Sequence, residues 1–235
     1  MLKQPLFLLL LFFAASCGQD STTAVSHTLK DSGAVTADAA APPASVVTTD
    51  TSGTPIKHMA YNQDIKVLPP ALASFVPEGY TALDTTPGDL NLDAYPDMTL
   101  VLKKNGEETT SDVVEHPERR PLLLLLGQPG GTYQLAARND NAVYCIDCGG
   151  MMGDPFMDVA IKKGYFSVEH YGGSGWRWTR TITFKYSPAD STWYLHKDGG
   201  DSFHAAELEK VQTTVRTTKD FGRVPFEKYD IYAED

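Results

Sequence analysis

The chain has 235 residues, a formal net charge of −10 and 42% hydrophobic residues. This length allows one domain with a substantial core in addition to terminal segments. The acidic balance argues against nucleic acid as a partner and against binding to anionic lipid by charge alone.

The first 16 residues have the pattern of a secretory signal peptide. One cation, Lys3, precedes an apolar run from Leu6 to Phe13, and small residues lead to Cys17. The apolar run is too short for a permanent membrane span. The segment before Cys17 resembles a bacterial lipobox, although Ala14 stands where leucine is more common. The resemblance implies an acylated Cys17 and a lipid-anchored protein on the periplasmic face or the cell surface. The alternative is an ordinary signal peptide with a cysteine nearby.

Residues 17–57 are mostly Ser, Thr, Ala, Asp, Gly and Pro, with few large apolar side chains. Such a composition buries too little surface to offset the entropy of ordering, which predicts a disordered tether. The tether would hold a folded domain, residues 58–235, away from the membrane.

The pattern within residues 58–235 predicts a mainly β domain. A short helix bounded by prolines opens it at Leu68–Pro77, and short β-branched and aromatic runs follow at regular intervals, separated by turn residues. We expect an antiparallel sandwich or curled sheet, with a partial propeller-like domain as the alternative. Ala142–Cys145 is among the predicted strands, and the polar stretch Lys104–Arg120 is expected to be an exposed excursion.

Residues 88–102 predict a cation-binding loop followed by a strand. Oxygen-bearing side chains stand at positions 1, 3, 5 and 9 of a calcium loop, and a backbone carbonyl is available at position 7. Neighbouring carboxylates repel one another unless a cation neutralises them. The alternative is an acidic, solvated β-turn. The predicted calcium ligands are Asp89, Asn91, Asp93, the carbonyl of Tyr95, and Asp97.

The loop departs from an EF-hand, which has glycine at position 6 and a bidentate glutamate at position 12, because Ala94 and Leu100 stand there. It resembles instead the calcium loop of FG-GAP and VCBS-type repeats, where Asp-x-Asn-x-Asp-Gly-x-x-Asp leads into an apolar strand. The resemblance covers about fifteen residues and occurs once. It implies a structural calcium ion and does not extend to a whole propeller.

Cys145 and Cys148 are the cysteines that remain if Cys17 is lipidated. In an oxidising compartment such a pair is most simply a disulfide. A redox-active pair, a reduced pair and a zinc site remain as alternatives, and zinc would need two further ligands from elsewhere in the chain.

Two glycine-rich segments carry a third resemblance. One reads Cys-Ile-Asp-Cys-Gly-Gly from Cys145, and the other reads His-Tyr-Gly-Gly-Ser-Gly-Trp-Arg-Trp from His170. Together they resemble an uncharacterised group of bacterial exported proteins, many of them lipoproteins. The resemblance covers most of the chain from Pro77 to about His204 and implies kinship without a defined activity.

Candidate catalytic and binding residues lie in the second of these segments. His170, Ser174 and Asp154 are the residue types of a hydrolytic triad, but the Gly-x-Ser-x-Gly elbow is absent. Alternate residues of one strand, Trp176 and Trp178, share a face that is either core or an exposed stacking platform, and burial is favoured. The residues predicted to bind a ligand if exposed are His170, Tyr171, Trp176, Arg177, Trp178 and Trp193.

The sequence therefore favours a non-enzymatic, lipid-anchored envelope protein. Its β domain would be stabilised by calcium and would bind a glycan or a protein partner, with no role for nucleic acid. The alternative is an envelope hydrolase that uses His170 and the glycine-rich segment around it.

Overall fold

The computed structural model describes residues 68–233. These residues form nine strands in two antiparallel sheets with a few short helices, which confirms the mainly β prediction. The predicted signal peptide, Cys17 and the tether lie outside the described residues. Within the described part, no helix combines the length and apolar character that crossing a bilayer requires.

Sheet 1 has four strands in sequence order, preceded by a 3-10 helix at Pro70–Phe75 where the short N-terminal helix is predicted. Each strand is antiparallel to its neighbour. The strands are β1 (Tyr80–Gly88), β2 (Asp97–Lys104), β3 (Leu122–Gly127) and β4 (Tyr133–Asn139). A short helix α1 (Glu107–Thr110) follows β2.

Sheet 2 has five strands, also in sequence order and antiparallel. They are β5 (Phe156–Lys162), β6 (Tyr165–Gly173), β7 (Trp176–Ser187), β8 (Thr192–His204) and β9 (Gln212–Thr217). The chain ends with helix α2 (Thr218–Phe221) and a 3-10 turn at Phe226–Lys228.

The main core lies between the sheets. Alternate residues of sheet 2, such as Phe166, Val168 and Ile182, point inward and pack with Val101 and Leu124 of sheet 1. The opposite face of sheet 1 is covered by the 3-10 helix, whose Leu72 packs in a second cluster of leucines. Strand β2 is therefore buried on both faces, which explains its nearly continuous apolar sequence.

Two expectations about irregular segments are wrong. Ala142–Cys145 is not a strand: Ala142 and Val143 are buried in a connection between the sheets and satisfy the apolar pattern without strand pairing. The stretch Lys104–Arg120 is not wholly exposed, because both Glu107 and Arg120 are fully buried.

Candidate functional site

The predicted calcium loop connects β1 to β2, and its side chains fold back onto its own backbone. The Asp89 carboxylate accepts from the Leu92 amide at 2.6 Å, and the Asp93 carboxylate accepts from the Tyr95 amide at 2.7 Å. Asn91 donates to Asp93 at 2.6 Å and accepts from its amide at 3.2 Å. Leu92 has a positive φ of 66°, so the left-handed residue stands at position 4 of the loop and not at position 6.

Asp97 has a different environment from the other predicted ligands. It is fully buried, and its two oxygens accept from the amides of Leu90 at 2.7 Å and Gly127 at 2.9 Å. Burial raises the pKa of Asp97, these two amides lower it, and the charges of Asp93 and Asp89 raise it, with a net upward shift. Asp97 is the last predicted ligand of the loop, and it also anchors the loop to β3 through the Gly127 amide.

The acidic loop has no counter-ion among the side chains that the structure describes. No ion pair within residues 68–233 joins Asp89, Asp93 or Asp97 to a basic side chain. The oxygens of these three carboxylates do not lie within 4.8 Å of one another. Among residues 68–233, the group of possible metal ligands that lies this close together is Cys145, Asp147 and Cys148. Calcium binding by the loop stays a prediction.

The two glycine-rich segments of the sequence meet in space. Cys145 and Cys148 form the predicted disulfide, and this pairing removes both thiolates as metal ligands. The Gly173 amide donates to the Gly149 carbonyl at 2.8 Å. A Cβ on Gly172 would lie 2.5 Å from the indole of Trp178, so only glycine at this position leaves room for the ring. The glycines are explained by packing.

His170 is a buried, neutral side chain of β6. Its Nε2 accepts from the Tyr144 amide at 3.3 Å, while Nδ1 has no hydrogen-bond partner. Burial, followed by the nearby charges of Arg180 and Arg120, lowers the pKa of His170 to about 3. No hydrogen bond of the described chain joins His170 to Asp154 or Ser174, and both Asp154 oxygens accept from Arg120. The residues of the hydrolase alternative are not brought together by hydrogen bonds.

The remaining residues predicted to bind a ligand are dispersed. Trp193 is core, and its indole nitrogen donates to the Leu90 carbonyl of the acidic loop at 2.9 Å. Tyr171 and Arg177 alternate with the inward residues of their strands, and Arg177 contacts Met152. Trp176 is 57% exposed, so the expectation of burial is wrong for this residue, whereas Trp178 is half-buried.

A groove that we call the inner groove lies beside Trp178. Strand register places Trp178 opposite Ser202, Ser202 opposite Gln212, and Gly200 opposite Thr214, all on the inward face of sheet 2. The inner groove has a volume of about 320 Å³. The polar and aromatic residues that line it include Tyr144, Trp178, Arg180, Asp198, Asp201, Ser202, Gln212, Thr214 and Arg216.

One wall of the inner groove is rigid. Arg180 donates to both oxygens of Asp198 at 3.0 and 2.7 Å, and to the Tyr144 hydroxyl at 2.7 Å. Burial alone would lower the pKa of Arg180, but Asp198 and the neighbouring tyrosines raise it, so it stays charged. The other wall carries polar groups that are open to a ligand. The side chains of Ser202, Gln212 and Thr214 make no hydrogen bond to residues 68–233. The groove therefore combines a fixed aromatic and ionic wall with free hydroxyl and amide groups.

A second buried cluster was not predicted from sequence. Arg120 donates to Glu107 at 2.5 and 3.2 Å and to both Asp154 oxygens at 2.7 Å. Burial alone would lower the pKa of Arg120, but the hydrogen bonds to Asp154 and Glu107 raise it. Tyr144 joins this cluster to the inner groove, since its carbonyl accepts from Arg120 and its hydroxyl from Arg180. A charged pair separated by 13 residues in a polar stretch gives no periodic signal that would reveal its burial.

Comparison of the chain with protein-family models, curated proteins and solved structures found no match. The three resemblances, to a lipobox, to an FG-GAP or VCBS-type calcium loop and to a group of exported proteins, remain predictions.

Proposed function

We propose that the chain is a lipid-anchored, non-catalytic binding protein of the bacterial cell envelope. Its calcium-stabilised β domain binds a glycan, and the inner groove receives a neutral sugar. The observation that carries this proposal is the set of free polar side chains, Ser202, Gln212 and Thr214, facing the half-buried Trp178.

The chemistry of the inner groove suits a sugar. A sugar ring presents an apolar C–H face, which can pack on an indole, and hydroxyl groups that both donate and accept. Trp178 supplies the aromatic surface, and the hydroxyls of Ser202 and Thr214 and the amide of Gln212 supply both kinds of hydrogen bond. The Arg180 guanidinium adds a fixed positive charge at one wall, and its donors already bond to Asp198, to the Tyr144 and Tyr229 hydroxyls and to the Ile231 carbonyl.

The shape of the groove depends on a glycine. A Cβ on Gly200 would lie 1.8 Å from the Thr179 carbonyl oxygen, which does not tolerate a side chain. The close approach of β8 to β7 leaves no side chain at position 200, between Ser202 and Asp198. Glycine at this position therefore permits the strand packing that holds Ser202 and Asp198 in the lining of the groove.

The proposal is tested with the purified full-length chain and three neutral probes, namely chitotetraose, cellotetraose and mannotetraose. Binding of any one should change tryptophan fluorescence, because Trp178 lines the groove. Calorimetric titration measures the variants, because Trp178→Ala removes the fluorescent side chain. Trp178→Ala and Gln212→Ala should each weaken binding, by about tenfold and about fivefold, from lost ring packing and one lost hydrogen bond.

The matched control is Gln134→Ala, which removes the same side chain at an exposed position of β4. It should leave affinity unchanged. Binding that is insensitive to both Trp178→Ala and Gln212→Ala would refute the assignment of the inner groove, and binding of none of the three probes would refute the neutral-sugar proposal.

A further inference from the structure

The outward face of sheet 2 carries a row of alternating basic and aromatic side chains. Strand register places Lys162 opposite Tyr165, Tyr165 opposite Lys185, and Lys185 opposite Tyr194. Directly opposed residues of neighbouring strands project to the same face. The row therefore crosses four adjacent strands, from β5 to β8.

The chain after α2 extends this row. The Arg223 guanidinium lies over the Tyr194 ring, 4.1 Å from the ring centroid. In the same way, the Lys185 amine lies over the Tyr165 ring, 5.4 Å from its centroid. The Leu195 amide donates to the Val224 carbonyl at 2.8 Å, which holds the Arg223 segment against β8. We call these five side chains the outer row: Lys162, Tyr165, Lys185, Tyr194 and Arg223.

A groove of about 600 Å³ opens along one end of the outer row. The lining residues that the argument uses are Lys185, Tyr186, Tyr194, His196 and Arg223, and no aspartate or glutamate lines it. This volume is far larger than an inorganic anion needs and falls in the range of sites for organic ligands. The aromatic side chains provide surface for a ring, and the basic ones provide charge.

The charge of the outer row stands out against the protein as a whole. The chain carries 30 acidic and 20 basic residues, yet Lys185 and Lys162 have no ion pair with any described residue. Arg223 is paired with Asp190, but the Arg223 side chain is 64% exposed, so this pair holds it weakly. The strand carboxylates of the same face lie toward its other end. Asp158 and Glu169 are four residues along the strands from Lys162 and Tyr165, and Asp201 is seven residues along β8 from Tyr194.

We propose that the outer row is a second binding site, for a linear polysaccharide that carries carboxylates. Neighbouring strands are about 4.8 Å apart, so cations on alternate strands are about 10 Å apart. An extended acidic glycan lying across the strands meets Lys162 on β5 and Lys185 on β7, with Tyr165 between them, and then Arg223 over the Tyr194 ring of β8. Carboxylates pair with Lys185 and Arg223, and the sugar rings pack against tyrosine edges and faces.

The test uses the full-length chain in calorimetric titrations with tetragalacturonate, neutral galactotetraose and inorganic phosphate. Tetragalacturonate should bind most tightly, and its affinity should fall as sodium chloride is raised, because exposed charges are screened. Lys185→Gln and Arg223→Gln should each weaken binding about fivefold, and Lys162→Gln, at the end of the row, less. Tyr194→Ala should weaken binding without changing its salt dependence.

Arg138→Gln is the matched control, because Arg138 also forms an exposed pair with an aspartate but lies on sheet 1. It should leave tetragalacturonate binding unchanged. Equal affinity for the acidic and neutral tetrasaccharides would overturn the proposal, and so would equal losses in Arg138→Gln and Arg223→Gln. Competition by phosphate at equal concentration would reduce the site to a simple anion site and overturn the polysaccharide assignment.

The outer row is independent of the inner groove. Trp178→Ala should leave tetragalacturonate affinity intact, because Trp178 lies on the inward face of sheet 2. If this variant abolished binding of the acidic probe, that probe would occupy the inner groove and the outer-row proposal would fail alone.

Discussion

The acidic loop between β1 and β2 and the Arg120 cluster hold carboxylates in two different ways. In the cluster, one guanidinium donates to both Glu107 and Asp154, and the Arg120 and Glu107 side chains are fully buried. In the loop, Asp89 and Asp93 accept from backbone amides, and no basic side chain of the described region pairs with them.

The two regions differ in the source of the positive charge that balances their carboxylates. Backbone amides satisfy hydrogen bonding but carry no net charge, so they leave the repulsion between carboxylates in place. The cluster has a counter-ion from within the chain, one guanidinium shared by two carboxylates, and its Arg120 and Glu107 side chains are sealed from water while Asp154 is partly exposed. The loop remains at the surface, where solvent ions or a bound divalent cation balance its charge.

The largest expected effect comes from breaking the sealed cluster. Arg120→Met should lower the free energy of unfolding by about 3–5 kcal/mol, because it leaves buried Glu107 without a counter-ion. Urea unfolding measures this change. Arg138→Met, which removes an exposed pair, should cost no more than about 1 kcal/mol. Similar costs for the two variants would contradict the contrast between sealed and exposed charge.

The next effect concerns the loop and calcium. Calcium at about one hundred times its dissociation constant should stabilise the fold by about 2.7 kcal/mol relative to chelator, if it binds only the folded chain. Thermal melting with calcium and with chelator measures this difference. Asp93→Asn should abolish the response, whereas Glu209→Gln, an exposed acid outside the loop, should keep it. An unchanged melting temperature in calcium would remove the ion from the proposal and leave an acidic turn.

Acid should affect His170, which lies near the Arg120 cluster, and Asp97 of the acidic loop in opposite senses. The pKa of His170 is lowered to about 3 from an ordinary 6.5, so the unfolded chain binds this proton more tightly than the fold does. The stability that neutral His170 contributes is complete above about pH 6.5 and is lost as pH falls toward 3, with a slope of up to about 1.4 kcal/mol per pH unit. The pKa of Asp97 is raised, so its protonation favours the folded state at low pH.

Unfolding free energies measured between pH 7 and pH 4 test the His170 contribution. His170→Gln, which can still accept from the Tyr144 amide, should have a shallower pH dependence than the unchanged chain. Identical slopes would show that His170 is not the group whose protonation opposes folding.

Local patterns predicted the strands well because alternation along a strand is a local property. Trp176–Ser187 is a strand as expected, and the disulfide follows from two cysteines three residues apart. Ala142–Cys145 was mispredicted because an apolar run satisfies burial in a connection as readily as in a strand. The inner groove combines Tyr144, β7, β8 and β9, which no sequence window spans.

The sequence by itself determined the β class, the turn positions and the chemical character of the acidic loop, since each depends on neighbouring residues. Only the tertiary structure decided that Arg120 is sealed with Glu107 and Asp154, that Trp193 is core while Trp176 is exposed, and that basic and aromatic residues alternate across sheet 2. These features depend on which strands become neighbours and on which face is covered. Sheet pairing sets both, through contacts between residues far apart in the chain.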